Sequence, residues 1–182
     1  MKIIMGIDAS TTNTGVSVFK LKRNNLEYYA HTLISAPKAK YNKKTMTKAA
    51  YKTFKHNQII DRVKLMITNL QSLLKTYKPD VIIIEDTYAS YDVYTVKMLN
   101  RVLGAVLGYA IEKDIEIIYK TPNAWRSDIG IKTRENNKPL KRPELKKQAL
   151  AYVKETFNID ASEDEAEAIC IGYSYKTLIK GE

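Results

Sequence analysis

Apolar and polar positions alternate in blocks along the chain, and the blocks predict the elements. Lys2 to Ile7 is short, apolar and β-branched, which predicts a strand. In Gly15 to Leu21, Val16 and Val18 fall on one face and Ser17 and Phe19 on the other, predicting a second strand. Leu26 to Ile34 predicts a third, with Arg23-Asn24-Asn25 as the hairpin turn. Three consecutive strands with short links make an antiparallel meander. Ser35 to Lys55 reads as a polar, lysine-rich connection, partly helical. From His56 the apolar residues Ile59, Ile60, Val63, Met66, Ile67, Leu70, Leu73 and Leu74 recur at helical spacing, predicting an amphipathic helix over 56–77. Lys78-Pro79-Asp80 breaks it.

The next run, Val81 to Ile84, is continuously apolar, as in a central strand covered on both faces, and Glu85 stands at its end. Tyr91 to Lys113 predicts a second long helix and Ile115 to Tyr119 a further strand. Thr121-Pro122-Asn123-Ala124-Trp125-Arg126 has the form of a capped helical turn, with Thr121 as N-cap and Pro122 at the first position. Gly130 to Leu140 reads as a basic loop, followed by helices over 142–157 and 162–178. The order implies an α/β chain with a mixed five-stranded sheet flanked by helices. Neither a repeat nor a linker splits it, so residues 1–182 are expected to form a single domain.

Within that pattern two acids stand out. Asp8 ends the first strand and Glu85 ends the central one. An unpaired carboxylate at the end of a buried strand is costly to desolvate, so its presence asks for a function. If the two strands are parallel neighbours, both carboxylates open at the same edge of the sheet, where open α/β sheets place ligands. The last helix begins Ser162-Glu163-Asp164-Glu165-Ala166-Glu167. Acids in a first turn suit the helix dipole, and that accounts for Glu163 and Glu165. Asp164 and Glu167 are three apart, share one face, and are read as functional. Asp8, Glu85, Asp164 and Glu167 together suit two Mg²⁺ ions, since hard oxygen ligands match magnesium; Mn²⁺ is an alternative ion. Two such ions about 3.5–4 Å apart serve phosphodiester hydrolysis by activating a water and stabilising the leaving oxygen. The two histidines, His31 and His56, are read as bystanders, and the lone Cys170 as a small buried helix residue.

Charge points the same way. Thirty Lys and Arg against twenty Asp and Glu give a net charge of +10, which favours an anionic partner. The stretch from Tyr28 to Ile60 has seven lysines and no acid. A second basic stretch holds Lys120, Arg126, Lys132, Arg134, Lys138, Lys141, Arg142, Lys146 and Lys147. No apolar run approaches the roughly 20 residues of a membrane span, and Ile3 to Ile7 is too short for a signal-peptide core. One cysteine excludes an internal disulfide. The opening GIDASTTNTG also has the look of a first phosphate loop of a sugar-kinase or chaperone-type ATPase. That reading needs a second domain and a second glycine-rich loop, and neither is present in the chain, so no nucleotide cofactor is expected.

With the four acids in place, the chain resembles the RuvC family of Holliday junction resolvases over nearly its full length. GIDASTTNTGVSVF is similar to the family's first strand, turn and second strand; VIIIEDTY to its second acidic motif; and DEAEAICIGY to its closing acidic motif, with Glu167 where the family usually has aspartate. The resemblance implies a ribonuclease H-like fold, a homodimer, and metal-dependent cleavage of Holliday junctions or other branched DNA that leaves 5′-phosphates. It implies Asp8, Glu85, Asp164 and Glu167 as catalytic metal ligands and Tyr88 as an aromatic facing the junction. Arg126 and Lys146 fall where the family has DNA-contacting basic residues, and Lys120 and Lys147 are grouped with them. Pro37 to Lys55 has no counterpart and reads as an insertion. The Lys-, Asn-, Ile- and Tyr-rich composition fits a bacteriophage or low-GC bacterial source, hence a cytoplasmic setting. A non-catalytic branched-DNA binding protein, or another ribonuclease H-like nuclease, are the alternatives.

Overall fold

A computed structural model of the chain describes residues 1–36, 45–86 and 93–179. Three strands form first: β1 (Lys2–Asp8), β2 (Asn13–Lys22) and β3 (Asn25–Ser35). They pair antiparallel as the meander predicted from the alternation. The β2–β3 link is a two-residue turn, with Arg23 and Asn24 both at positive φ (46° and 65°), as a tight twisted hairpin requires.

Helix α1 (Lys48–Tyr77) then leads to β4 (Val81–Glu85), and α2 (Val93–Glu112) to β5 (Glu116–Lys120). Strands β4 and β5 run parallel to β1, so the five-stranded sheet has the order β3-β2-β1-β4-β5 and is mixed, as expected. After β5 come α3 (Pro122–Asp128), a small ribbon of β6 (Arg134–Glu135) and β7 (Lys138–Pro139), α4 (Arg142–Phe157), α5 (Glu163–Tyr173) and α6 (Lys176–Ile179).

The sheet is covered on both faces. Met5, Ile7, Val16, Val18, Ile82 and Ile84 pack with Met66, Leu70 and Leu74 of α1 and Val102 and Val106 of α2. Ile4, Phe19, Val81 and Ile83 pack on the other face with Trp125, Ala149, Val153, Ile169 and Cys170. A continuous apolar run such as Val81 to Ile84 is therefore a strand buried on both sides, not half of an amphipathic element.

Three elements differ from expectation. Helix α1 starts eight residues earlier than its apolar periodicity, because the Thr47 side chain accepts from Ala50 N at 3.2 Å and caps a lysine- and alanine-rich first stretch. The expected basic loop over 130–140 contains the β6–β7 ribbon, whose turn residues Asn136 and Asn137 both take positive φ (49° and 63°). The expected single helix over 162–178 breaks at Ser174. Its hydroxyl donates back to Ile171 O at 2.7 Å, and its carbonyl accepts from Lys120 Nζ at 3.0 Å and from the Thr177 hydroxyl at 3.0 Å, where the short α6 begins.

Candidate metal centre

Strand alternation aims the two strand-end acids. Ile4, Gly6 and Asp8 share one face of β1, and Ile4 packs in the cluster beneath α5. On β4, Val81, Ile83 and Glu85 share that face too. The parallel register Ile7↔Ile84, continued by one step, sets Asp8 beside Glu85 at the same sheet edge.

Close packing brings the helical pair to them. A Cβ at Gly6 would lie 2.4 Å from Gly172 N, and one at Gly15 would lie 2.0 Å from Asp164 O. Helix α5 thus crosses the sheet at backbone contact, over two strand positions that lack side chains. Ser17 Oγ locks the crossing by donating to Ala168 O at 2.7 Å. The start of α5 is set by Ser162 and Glu165, which close a capping box: Glu165 Oε2 accepts from Ser162 N at 3.0 Å. Glu165 is therefore a capping residue, as the dipole reading of the first turn expects.

As a result, one carboxylate oxygen each from Asp8, Asp164 and Glu167 lie within 4.8 Å of one another. Oxygens held by one small octahedral ion at about 2.1 Å are themselves roughly 3–4 Å apart, so the three fit a divalent cation after small side-chain adjustments. Glu85 stands outside that trio, next to Asp8, with its Oε2 accepting from Trp125 Nε1 at 2.7 Å.

The acids strain one another. Burial, then the charges of Glu167, Glu85 and Asp164, hold the Asp8 carboxyl well above the usual carboxylate range, with Lys146 pulling the other way. Burial also raises Glu85, opposed by the Trp125 hydrogen bond and by Arg126. Two cations answer this charge. Arg126 is buried and donates to Glu167 Oε1 at 2.6 Å; its Nε has no partner among the described residues. Lys146 Nζ lies 2.9 Å from Glu163 Oε2, 3.2 Å from Asp164 Oδ1 and 3.8 Å from Glu167 Oε2. Burial would lower the Lys146 ammonium, but its bonds to Glu163 and Asp164 outweigh that and raise it.

The other singled-out residues are placed as follows. Lys120, opposite Glu85 on β5, is buried, and its Nζ donates to Asp128 Oδ2 at 2.6 Å and to Ser174 O. It ties α3 and the end of α5 to the sheet from inside the fold. Lys147 is exposed on α4. Tyr88, like Lys38, Lys40, Lys43 and Lys44 of the first basic stretch, lies outside the described residues. His56 is exposed on α1. His31 is braced: its Nδ1 is 2.5 Å from the Tyr28 hydroxyl and its Nε2 is 3.7 Å from Glu165 Oε1. Cys170 is buried, and burial with the nearby Glu167 charge pushes its thiol up, partly offset by Arg126.

Trp125 is the residue that reading the sequence missed. It served there as a landmark in a capped turn, whereas the structure has it fully buried and bonded to a strand-end acid. The available signal was a lone tryptophan in a short polar helix directly after a strand of the same sheet.

Comparison with known proteins gives a consistent set. The model of the family described as crossover junction endodeoxyribonuclease RuvC matches residues 39–171. The crossover junction endodeoxyribonuclease RuvC of Trichlorobacter lovleyi is 22% identical over 177 residues, covering 97% of this chain and 88% of that one. Its counterpart from a Geobacter species is 24% identical over 182 residues, covering 98% of each. Among solved structures, Thermus thermophilus RuvC in complex with a Holliday junction substrate superposes with a TM-score of 0.66 at 13% identity, covering 97% of this chain and 96% of that one. The fowlpox virus resolvase with Holliday junction DNA does so with a TM-score of 0.58 at 16% identity, covering 97% and 98%. At such identities these structures bear on the fold, which is the ribonuclease H-like mixed sheet flanked by helices.

Proposed function

The chain belongs to the crossover junction endodeoxyribonuclease RuvC family, and from that premise we propose that it is a metal-dependent endonuclease that resolves Holliday junctions. The observation that carries the reading is the convergence of Asp8, Asp164 and Glu167 at the sheet edge, with Glu85 on the adjoining strand.

Asp8, Asp164 and Glu167 would hold one divalent ion, and Asp8 with Glu85 a second; Mg²⁺ matches the all-carboxylate donor set, with Mn²⁺ as the alternative. When bound, such ions supply an activated water and stabilise the leaving oxygen of a phosphodiester. The chain's own groups do the remainder. Burial and the neighbouring acids hold the Asp8 carboxyl well above the usual carboxylate range, so an ion binding there competes with its proton. Lys146, a cation at the mouth of the acid cluster, is placed to meet a phosphate oxygen when the carboxylates find another partner.

Charge and shape extend the reading to the substrate. Lys132, Arg134, Lys138, Lys141, Arg142 and Lys147 are all exposed along the β6–β7 ribbon and the start of α4, the helix that carries Lys146 to the site. They would neutralise phosphates of the junction arms. Helix α2 exposes Gly104, Leu107, Gly108 and Ile111 along one face, and Cβ atoms added at either glycine meet nothing within 4 Å. This apolar stripe suits the same helix of a second copy, and a two-fold dimer matches the approximate two-fold symmetry of a four-way junction.

The test is cleavage of a labelled synthetic four-way junction, beside a fork and a plain duplex, with Mg²⁺ or with EDTA. The expected outcome is paired, metal-dependent nicks near the crossover, abolished in Asp8→Asn while junction binding persists. Binding without cutting by the wild type would point instead to a junction-binding protein.

A further inference from the structure

We propose that Trp125 is a positioning residue: its indole N–H fixes the Glu85 carboxylate in the orientation in which that acid receives a metal ion. The inference rests on the metal reading above and adds to it a device that no acid in the cluster supplies.

Trp125 Nε1 lies 2.7 Å from Glu85 Oε2, a short and direct hydrogen bond. The indole is fully buried and packs among Ile4, Ile83, Ile129 and Ile169, so the ring cannot turn its N–H elsewhere. The Arg126 guanidinium, 4.1 Å from the Trp125 ring centroid, closes the other side. Arg126 is itself held by Pro122 O at 3.1 Å and Glu167 Oε1 at 2.6 Å. Helix α3 is anchored at both ends, by the Thr121 cap onto Ala124 N at 3.2 Å and by the Lys120–Asp128 bond at 2.6 Å. The donor is thus fixed to the scaffold, while the acceptor is a flexible glutamate at a strand end.

The chemistry of the donor matters. An indole N–H gives one hydrogen bond and no charge, and it never accepts. It takes one lone pair of Oε2 and leaves Oε1 open. A lysine or arginine at this place would orient Glu85 equally well but would also compete with a metal ion for its charge. Trp125 restrains the ligand without neutralising it, which is what an outer partner of a metal-ligating carboxylate does elsewhere. Asp164 and Glu167 pair directly with cations, whereas the hydrogen-bond donor on Glu85 is neutral and Arg126 and Arg142 act on it only through their charge.

Because Trp125 is the chain's single tryptophan, it also reports on its partner. The experiment is calorimetric titration of the full-length protein with Mg²⁺ and Mn²⁺, with intrinsic fluorescence followed in parallel for the wild type. The variants are Trp125→Phe, Glu85→Gln, their combination, and the protein with Trp125 replaced by the isosteric 3-benzothienylalanine, which keeps the ring's shape but has no N–H. Wild-type fluorescence should change as the metal titrates in. Trp125→Phe and the benzothienyl protein should bind metal about 10–100-fold more weakly, the range seen for loss of an outer-shell partner. Adding Trp125→Phe to Glu85→Gln should cost nothing further. Metal affinity within twofold of wild type in the benzothienyl protein, or additive losses in the double variant, would overturn the assignment to Trp125 alone. A wild-type protein that binds neither ion at millimolar concentration would overturn the metal reading, and the role of Trp125 with it. The benzothienyl protein keeps the question open to refutation even if Trp125→Phe fails to fold.

Discussion

Asp8 shows what a buried carboxyl among other acids costs the fold. In the unfolded chain it gives up its proton in the ordinary carboxylate range; in the folded, metal-free protein it keeps that proton to higher pH, because of burial and three neighbouring acids. Between those two values the folded state binds more protons, so stability falls as pH rises through that window and is level above it. Glu85 is raised and adds the same sign. Lys146 is raised as well, and its contribution is present below the ordinary lysine range and lost only far above neutrality. Thermal melts in EDTA should therefore show a decline in Tm from acid toward neutral pH. In Asp8→Asn the slope should shrink and the neutral-pH Tm should rise by a few degrees, about 1 kcal/mol being worth roughly 2–4 °C in a chain of this size. With Mg²⁺ present the order should reverse, since only the wild type gains full stabilisation from binding. The acid positions were legible in the sequence because carboxylates at strand ends and at i, i+3 of a helix are unusual where apolar residues are expected. Their partners are not legible there: the sequence groups Arg126 and Lys146 with basic residues for DNA and does not show that they lie against Glu167, Asp164 and Glu163. Sequence spacing shows which residues share a face, but not which cation across a tertiary gap will reach them.

Helix α5 decides the geometry of the site, and two strand glycines decide where α5 lies. Gly15 sits under the carbonyl of Asp164 and Gly6 under Gly172. Gly15→Ala should push the helix start away from β2. Overpacking of this kind costs about 1–3 kcal/mol, to be read as a fall in the urea midpoint with an unchanged slope. Because the displaced residue is Asp164, metal affinity by calorimetry should fall as well. Ala substitution at Gly104, inside α2 with nothing within 4 Å among the described residues, should leave metal affinity alone and raise the urea midpoint, since alanine is favoured over glycine in a helix interior by about 0.8–1 kcal/mol. At this scale the sequence shows element types well and their ends less well. Helix α1 runs back to Lys48 on a cap and good helix formers, outside the apolar periodicity that marked it from His56. Helix α5 ends at Tyr173, and the carbonyl of its cap residue Ser174 is shared between Thr177 and Lys120, a partner distant in sequence.

The whole molecule presents two surfaces of different character. The exposed Gly104–Leu107–Gly108–Ile111 face of α2 lies on the helix layer opposite α5, and the basic ribbon and α4 lie on the α5 side. Ile111 is 72% exposed, an unusual setting for a large apolar side chain. Ile111→Asp should convert a dimer to a monomer in sedimentation velocity runs while leaving the thermal melt of the subunit close to wild type. On a junction it should replace paired nicks with single ones, because each active site then acts without its two-fold mate. Wild-type protein that sediments as a monomer at micromolar concentration would remove the basis for this.

Taken alone, the amino-acid sequence determined the five strands of the main sheet, the long helices, the flanking of the sheet by helices and the positions of the four acids, because each is written in local periodicity or in a charge placed where burial is expected. It also carried the two turns of paired positive φ, Arg23-Asn24 and Asn136-Asn137, though only the first was recognised as a hairpin. The tertiary structure alone decided how the acids are held. The backbone contact between Gly15 and Asp164, the Trp125–Glu85 bond, the Arg126–Glu167 pair and the inward turn of Lys120 join residues 40 to 149 positions apart. Such contacts depend on the spacing of packed layers, to within an ångström, and no local pattern encodes that distance.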